Sequence, residues 1–232
     1  MDTIWLRCRA PFAAYRPMQA GSLRATLPVI TYSAAWGLAL NLAGIETRSS
    51  EARSVTGISP DAPCLRIALG LPGAAPGFAT LYQQLHGYPI GTSSENLQPG
   101  AKGSKYHIAP ARRELLVGLD VVLGIQGELG VLRRITDGLR GSIPEPRYGL
   151  PFAGDNNLLF DDIEVRACST TCRWYVPLDT SQPPQRGAAR LTQSIDREDS
   201  GRTRTVLVVP DVQAREQPPE NAWQWTPREP TR

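Results

Sequence analysis

The chain has 232 residues, of which 41% are apolar and 20% charged, with a formal net charge of +3 at neutral pH. That balance excludes an intrinsically disordered polypeptide, and the length allows one large domain or one domain with a small appendage. So small a net charge does not by itself require a nucleic-acid partner. The kind of charge says more: of 25 basic residues, all but Lys102 and Lys105 are arginine. Arginine offers phosphate a rigid donor fork and offers bases a flat face; GC-rich coding gives the same bias. No run approaches the ~18 apolar residues of a membrane span, and Met1-Asp2-Thr3-Ile4-Trp5 lacks the pattern of a secretory leader. The expectation is a cytoplasmic protein with no membrane contact and reduced thiols. Cys168 and Cys172 are spaced four apart, with no second pair or nearby histidine to complete a metal site. Free thiols, no metal and no cofactor are expected.

In chain order, Thr3–Arg9 alternates, with Ile4, Leu6 and Cys8 on one side and Trp5, Arg7 and Arg9 on the other. This predicts a half-buried strand with a basic outer face. Thr31 or Ser33 can cap a helix running from Ala34 to Ala43, which Gly44 ends. Cys64–Leu71 reads as a second strand. About forty residues rich in Gly, Pro and Ser then run from 73 to 113, far beyond the ~4–6 of an ordinary connection. Strand-like pieces at Thr80–Leu85 and Tyr106–Ala109 make this an extended arm or long hairpin. Glu114–Ile125 is a long apolar strand. Glu128–Leu139 carries Leu129, Leu132, Ile135 and Leu139 at helical spacing, closed by Gly141. Leu158–Val165 is a fourth strand.

The resulting strand–helix–strand–arm–strand–helix–strand order predicts an α+β, ferredoxin-like (RNA-recognition-type) domain over residues 1–166. Residues 167–232 read as a small β-rich extension. Arg173–Pro177 and Thr205–Val209 are its strands, Ser181–Gly201 is a polar, mobile stretch, and the tail with Trp223 and Trp225 is an ordered cover or a docking strip.

Nucleophilic chemistry has little support. There is no Gly-x-Ser-x-Gly and no phosphate-binding Gly-x4-Gly-Lys-Ser/Thr, and Asp155, Asp161 and Asp162 sit beside Asn156 and Asn157 as in a turn. His86 and His107 both fall in the arm, where either can shuttle a proton or contact RNA. Two basic, aromatic segments carry more: Arg7–Arg16, and Arg147–Asn157, a loop shaped by glycine and proline. Arg7 and Arg9 on one strand face can meet phosphates about 7 Å apart. Tyr15 and Tyr148 are candidate platforms for unpaired bases, whereas Phe12 and Phe152 are expected beneath their loops. Tyr15, Arg16 and Arg24 are expected to be exposed. In the arm, Lys102, Lys105, Tyr106 and His107 join charge to stacking capacity. With Arg112, Arg113, Arg147, Tyr148 and Asn156 they complete the expected RNA-binding set.

Four stretches resemble the Cas-five family of CRISPR-associated RAMP proteins, type I-B-like branch: Trp5–Ala13, Ser33–Ile45, Lys105–Glu114 and Arg147–Asn157. The resemblance implies a ferredoxin-like domain with a long thumb hairpin. It implies a subunit of a type I Cascade that holds the 5′ handle of the CRISPR RNA, touches the backbone subunit and the large subunit, and meets target DNA through the complex. On that footing Arg7, Arg9, Arg16 and Arg24 position the handle, Arg112 and Arg113 hold the base of the thumb, and the Arg147–Asn157 loop forms a pocket. Relatives in type I-C systems cut precursor RNA with a tyrosine, lysine and histidine set. Tyr106, Lys105 and His107 are the right types, but neighbours in a strand point to opposite faces. The expectation is therefore a non-catalytic RNA binder, the alternative a metal-independent endoribonuclease.

Overall fold

A computed structural model describes residues 1–17, 23–49, 57–87, 99–100, 107–147, 149–167, 169–179, 181, 183 and 185–230, with backbone only at 85–87 and 107–109. Strand β1 (Asp2–Ala13) begins with the expected alternation: Leu6, Cys8 and Ala10 are buried, while Arg7 and Arg9 lie on the other face. It pairs antiparallel with β5 (His107–Gly127) on one side and β6 (Asp162–Arg166) on the other. Strand β3 (Leu65–Leu71) pairs with the far edge of β5. The central order is thus β6-β1-β5-β3, every neighbour antiparallel.

Helix α1 (Tyr32–Leu42) lies between β1 and β3 in sequence, and α2 (Leu129–Leu139) between β5 and β6. Thr31 is the α1 cap: its hydroxyl accepts from Ala34 N at 3.1 Å. Gly44, with φ +65, ends the helix, a conformation that glycine adopts without a Cβ penalty. The two helices meet at backbone distance, since a Cβ on Gly138 would sit 1.7 Å from the Leu42 carbonyl oxygen. No larger residue fits there. Arg134 Nε donates to the Ala43 carbonyl at 3.1 Å, satisfying an acceptor that the end of α1 leaves open.

Among the described residues ten strands form one sheet. Strand β4 (Gly77–Gly87) pairs with the first half of β5 from Gly77–Val117 to Gly87–His107, so one continuous strand runs from the hairpin into the sheet centre. Strand β2 (Leu23–Arg24) flanks that half of β5 in parallel, opposite Arg112 and Arg113. The side-chain alternation shifts where the hairpin leaves the sheet. Gly118 takes φ +71; beyond it Leu116 and Ala13 face the core, although Leu119 and Ala10, an odd number of residues away, face it too. The kink re-aims the end of β1, as irregularities in a ladder do.

The sheet continues from β3 through β7 (Arg173–Pro177), β9 (Arg204–Pro210) and β8 (Ala189–Ser194). Strand β8 falls inside the stretch expected to be mobile. Its Ala189 and Leu191 join the core containing α1, so alternation on a polar background outweighs composition. This cover explains why α1 is buried on most sides, with Tyr32, Ala35, Trp36, Leu38, Ala39, Leu40 and Leu42 all enclosed.

The tail is an ordered cover. Strand β10 (Gln224–Thr226) adds to β3, and Trp223 joins Trp5 and Trp174 on the sheet's outer face, with ring centroids 6.0 and 5.8 Å from that of Trp5. Glycines make room for these rings. A Cβ on Gly124 would lie 2.6 Å from Trp5 Cζ3 and 2.8 Å from Trp223 Cη2, and one on Gly70 would lie 2.7 Å from Trp174.

Overpacking a well-filled site costs about 1–3 kcal/mol. Gly124→Ala should therefore lower the urea midpoint with an unchanged m-value and alter tryptophan emission; an unshifted midpoint contradicts this packing. Burial pushes the Cys172 thiol up to about 12 and the Cys8 thiol well above its ordinary value. The thiolate fraction of Cys172 at pH 8 is then about 10⁻⁴. Iodoacetamide at pH 8, with peptide mapping, should modify half-exposed Cys64 before Cys8 and Cys172; equal labelling of the three contradicts the burial.

Candidate nucleic-acid interface

The two basic-aromatic segments meet. Past the Gly118 kink, Ala14 N donates to the Ala153 carbonyl at 2.9 Å. Gly154 (φ +83) lies so close that a Cβ there would be 2.3 Å from the Ala14 carbonyl oxygen. The loop is closed by Ala153 N to Leu158 O at 2.6 Å and Leu158 N to Asp155 O at 2.8 Å. Asp155, read from sequence as a turn residue, is the hub. Its Oδ2 accepts from Arg16 Nη2 at 3.0 Å and from Arg113 Nη2, and its Oδ1 accepts from Asn157 N at 3.2 Å. The side chains of Asp155 and Arg113 are each only 12% exposed.

This one carboxylate joins the end of β1, the base of the hairpin and the loop after α2. It carries one negative charge against two positive ones, and each guanidinium keeps donors that a carboxylate does not use. Arg24 and Arg112 stand beside the trio on β2 and β5. Neither side chain makes a hydrogen bond or ion pair within the protein among the described residues, and Arg112 is exposed. Asn156 is exposed next to the hub. Five of the expected residues (Tyr15, Arg16, Arg24, Arg113 and Asn156) therefore share one region at the base of the hairpin, and Arg112, next to Arg113 on β5, points to the other face of that strand.

Others do not join them. Arg7 donates to Asp120 through Nε at 2.9 Å and Nη2 at 2.7 Å, a bidentate pair that raises the Arg7 pKa. Arg9 donates to Asp162 at 2.6 Å. Both lie on the outer face of the sheet, each held by its own carboxylate and neither by Asp155. The basic face read from the alternation is thus matched by carboxylates from β5 and β6. Arg147 donates to the Gly138 carbonyl in the last turn of α2. Lys102, Lys105, Tyr106 and Tyr148 lie outside the described residues, as does the His107 side chain.

Three expectations about exposure are corrected. Tyr15 is 3% exposed and so is no open platform. Its backbone is held by Thr26 Oγ1 at 2.9 Å and by Leu27 N at 2.7 Å, which turns the ring inward. Phe12 and Phe152, expected beneath their loops, are 45% and 46% exposed. Sequence reasoning also passed over Phe78 and Tyr82. They alternate along β4 across from Leu116 and Arg112, and both are exposed. The signal was a period of two in Phe78, Thr80 and Tyr82. Among the described residues no three His, Cys, Asp or Glu side chains gather as a metal-ligand set, and no helix is long and apolar enough to cross a membrane.

Removing one partner of a buried ion pair strands the others, at a cost of about 3–5 kcal/mol in well-buried cases. Asp155→Ala, which leaves one largely buried and one partly exposed arginine unpaired, should cost about 2–3 kcal/mol in chemical denaturation. Loss of less than about 0.5 kcal/mol, the range of ordinary surface changes, contradicts its role as the hub.

No protein-family model matches the sequence, and no curated protein matches it. Solved structures do. A chain of a CRISPR RNA-guided surveillance complex superposes with a TM-score of 0.54 at 17% identity, over 92% of this chain and 91% of that one. A crystal structure of a Cas protein aligns at a TM-score of 0.48 and 14% identity, over 94% of this chain and 100% of that one. At 17% identity the first likeness is one of fold: the chain is built like a component of a CRISPR RNA-guided surveillance complex.

Proposed function

We propose that the protein is a non-catalytic CRISPR RNA-binding subunit of a type I Cascade, of the Cas-five family of RAMP proteins. It holds the repeat-derived 5′ handle and caps the backbone filament. The observation that carries this reading is the arginine group at the hairpin base. Asp155 fixes Arg16 and Arg113 in place, and Arg24 stands across the ladder from Arg113 with no carboxylate of its own; Arg112, on the other face of β5, also has none. Fixed guanidinium groups around a bent loop suit a single strand whose phosphates turn sharply. The sheet order β6-β1-β5-β3, with α1 and α2 as its crossings, supports a ferredoxin-like assignment. The β4–β5 hairpin is the counterpart of a thumb. The fold shared with a surveillance-complex chain favours that setting. Contacts with a backbone subunit, a large subunit and target DNA belong to this proposal.

In this reading Arg24 and Arg112 meet phosphates directly, while Arg16 and Arg113 also shape the loop. Each phosphate contact on a single strand contributes about 0.7 to the slope of log K against log salt. Arg24→Ala and Arg112→Ala should each weaken binding of a short handle RNA and flatten that slope by about 0.7 in fluorescence anisotropy. Handle RNA should bind more tightly than an unrelated strand of equal length; equal affinities overturn handle recognition. Precursor repeat RNA incubated with the protein in chelator should stay intact, and cleavage that His107→Ala abolishes establishes the endoribonuclease instead.

A further inference from the structure

Most edges of the sheet are guarded. Strand β6, at one end, is five residues long and carries Asp162, Glu164 and Arg166. Strand β2 has two residues and β10 three. Strand β8, at the other end, is interrupted by a register shift between Thr192 and Ser194. The tail also ties it down: Gln193 Nε2 donates to the Trp225 carbonyl at 2.9 Å, and the Gln193 carbonyl accepts from Thr226 Oγ1 at 2.6 Å. Short length, charge, bulges and cover are the devices that keep one sheet from pairing with another.

Strand β4 has none of them. It runs for 11 residues, against the ~5–6 of a typical strand. From Gly77 to Gly87 the sequence holds no Asp, Glu, Lys, Arg or Pro. Its register against β5 is unbroken, and among the described residues it pairs with no other strand. The N–H and C=O groups of an antiparallel strand point alternately to its two sides. Half of those on β4 therefore face away from β5 as an open row. Among the described residues, no backbone group from Gly77 to Gln84 bonds to the backbone beyond that ladder. The side chains along the row are apolar and open on both faces: Phe78 (59% exposed) and Tyr82 (68%) on one, Leu81 (46%) on the other.

The strand that completes such an edge is uncharged and apolar on both faces, because a charge set beside Phe78, Leu81 or Tyr82 loses water and gains no partner. Strand β4 itself answers that description. Two copies set edge to edge and antiparallel oppose no like charges in any register. Two β6 strands paired about Glu164, by contrast, would set carboxylates opposite one another. We propose that the free protein pairs with a second copy of itself through the open edge of β4, joining two sheets into one. The contact is isologous and closes at two chains. Eleven residues a side fall short of the ~20–30 of a standard interface, so the dimer is weak and forms with concentration. It uses the outer strand of the hairpin, not the arginines at its base, and stands apart from the RNA-binding reading.

Analytical ultracentrifugation of the intact protein without RNA tests this. The weight-average mass should rise from one chain towards two over about a hundredfold range of concentration, as a micromolar Kd requires. Leu81→Lys combined with Tyr82→Lys alters two exposed residues, so the melting temperature should be retained. It removes apolar cross-strand pairs and sets like charges across the contact, and should weaken association by about tenfold or more. Val212→Lys, a lysine placed on an exposed apolar residue outside β4, should leave association unchanged. Amide hydrogen exchange over Phe78–Gln84 should slow as the dimer forms. A monomer at every concentration overturns the proposal and leaves the edge to a strand of another protein. Undiminished association in the folded double variant overturns it, as does a dimer with unaltered exchange along β4. A mass that climbs past two chains overturns the closed pair.

Discussion

Asp155 draws guanidinium groups from two places far apart in the chain, Arg16 at 139 residues' separation and Arg113 at 42. A carboxylate only 12% exposed is tolerable because two cations and a backbone N–H satisfy it. The same contact decides where the loop after α2 lies. It brings Gly154 against Ala14 and Tyr15, so that only a residue without a side chain fits at 154. The placement of Arg16 and Arg113 and the shape of the loop both descend from this one ion-pair group.

The rest of the sheet supplies rigidity. The 21 residues of β5 run from the hairpin to the sheet centre, so the hairpin base does not hinge freely against the core. On the outer face, Trp5, Trp174 and Trp223 pack over Gly70 and Gly124. Trp174 Nε1 donates to the Arg215 carbonyl at 2.9 Å, which ties the tail to that face. Arg66 lies over the Trp223 ring at 6.0 Å and pairs with Glu220. The outer face, with its tryptophans covered and its Arg7 and Arg9 matched by carboxylates, is closed by the protein itself. The arginine side chains without a carboxylate, Arg24 and Arg112, lie on β2 and β5 at the hairpin base.

What the sequence disclosed was local. The alternation of β1, the Thr31 cap, the helical spacing of Leu132 and Ile135, and the bounds of β7 depend on neighbours a few residues apart. What it concealed was set by distant partners. Strand β8 exists because β9 and α1 cover it, although its surroundings are polar. Arg112 and Arg113 were read as the end of the arm, apart from the strand that follows it, but they lie inside one continuous strand. Tyr15 sits next to Arg16 in a basic segment that suggests exposure, yet its backbone is held by Thr26 and Leu27 and its ring is buried. Arg7 and Arg9 were placed on the correct face; their carboxylate partners are 113 and 153 residues away and invisible to any window. Asp155 read as a turn residue because a turn is what it also makes, through Asn157.

On the proposed function, RNA lies against the arginines around Asp155 at the hairpin base, and not across the tryptophan face. Ultraviolet cross-linking of a bound 5′-handle RNA, mapped by mass spectrometry, tests it directly. Adducts should concentrate on peptides carrying Arg24, Arg112–Arg113 and Phe152. Adducts confined to peptides carrying Arg7, Trp174 and Trp223 would contradict the account.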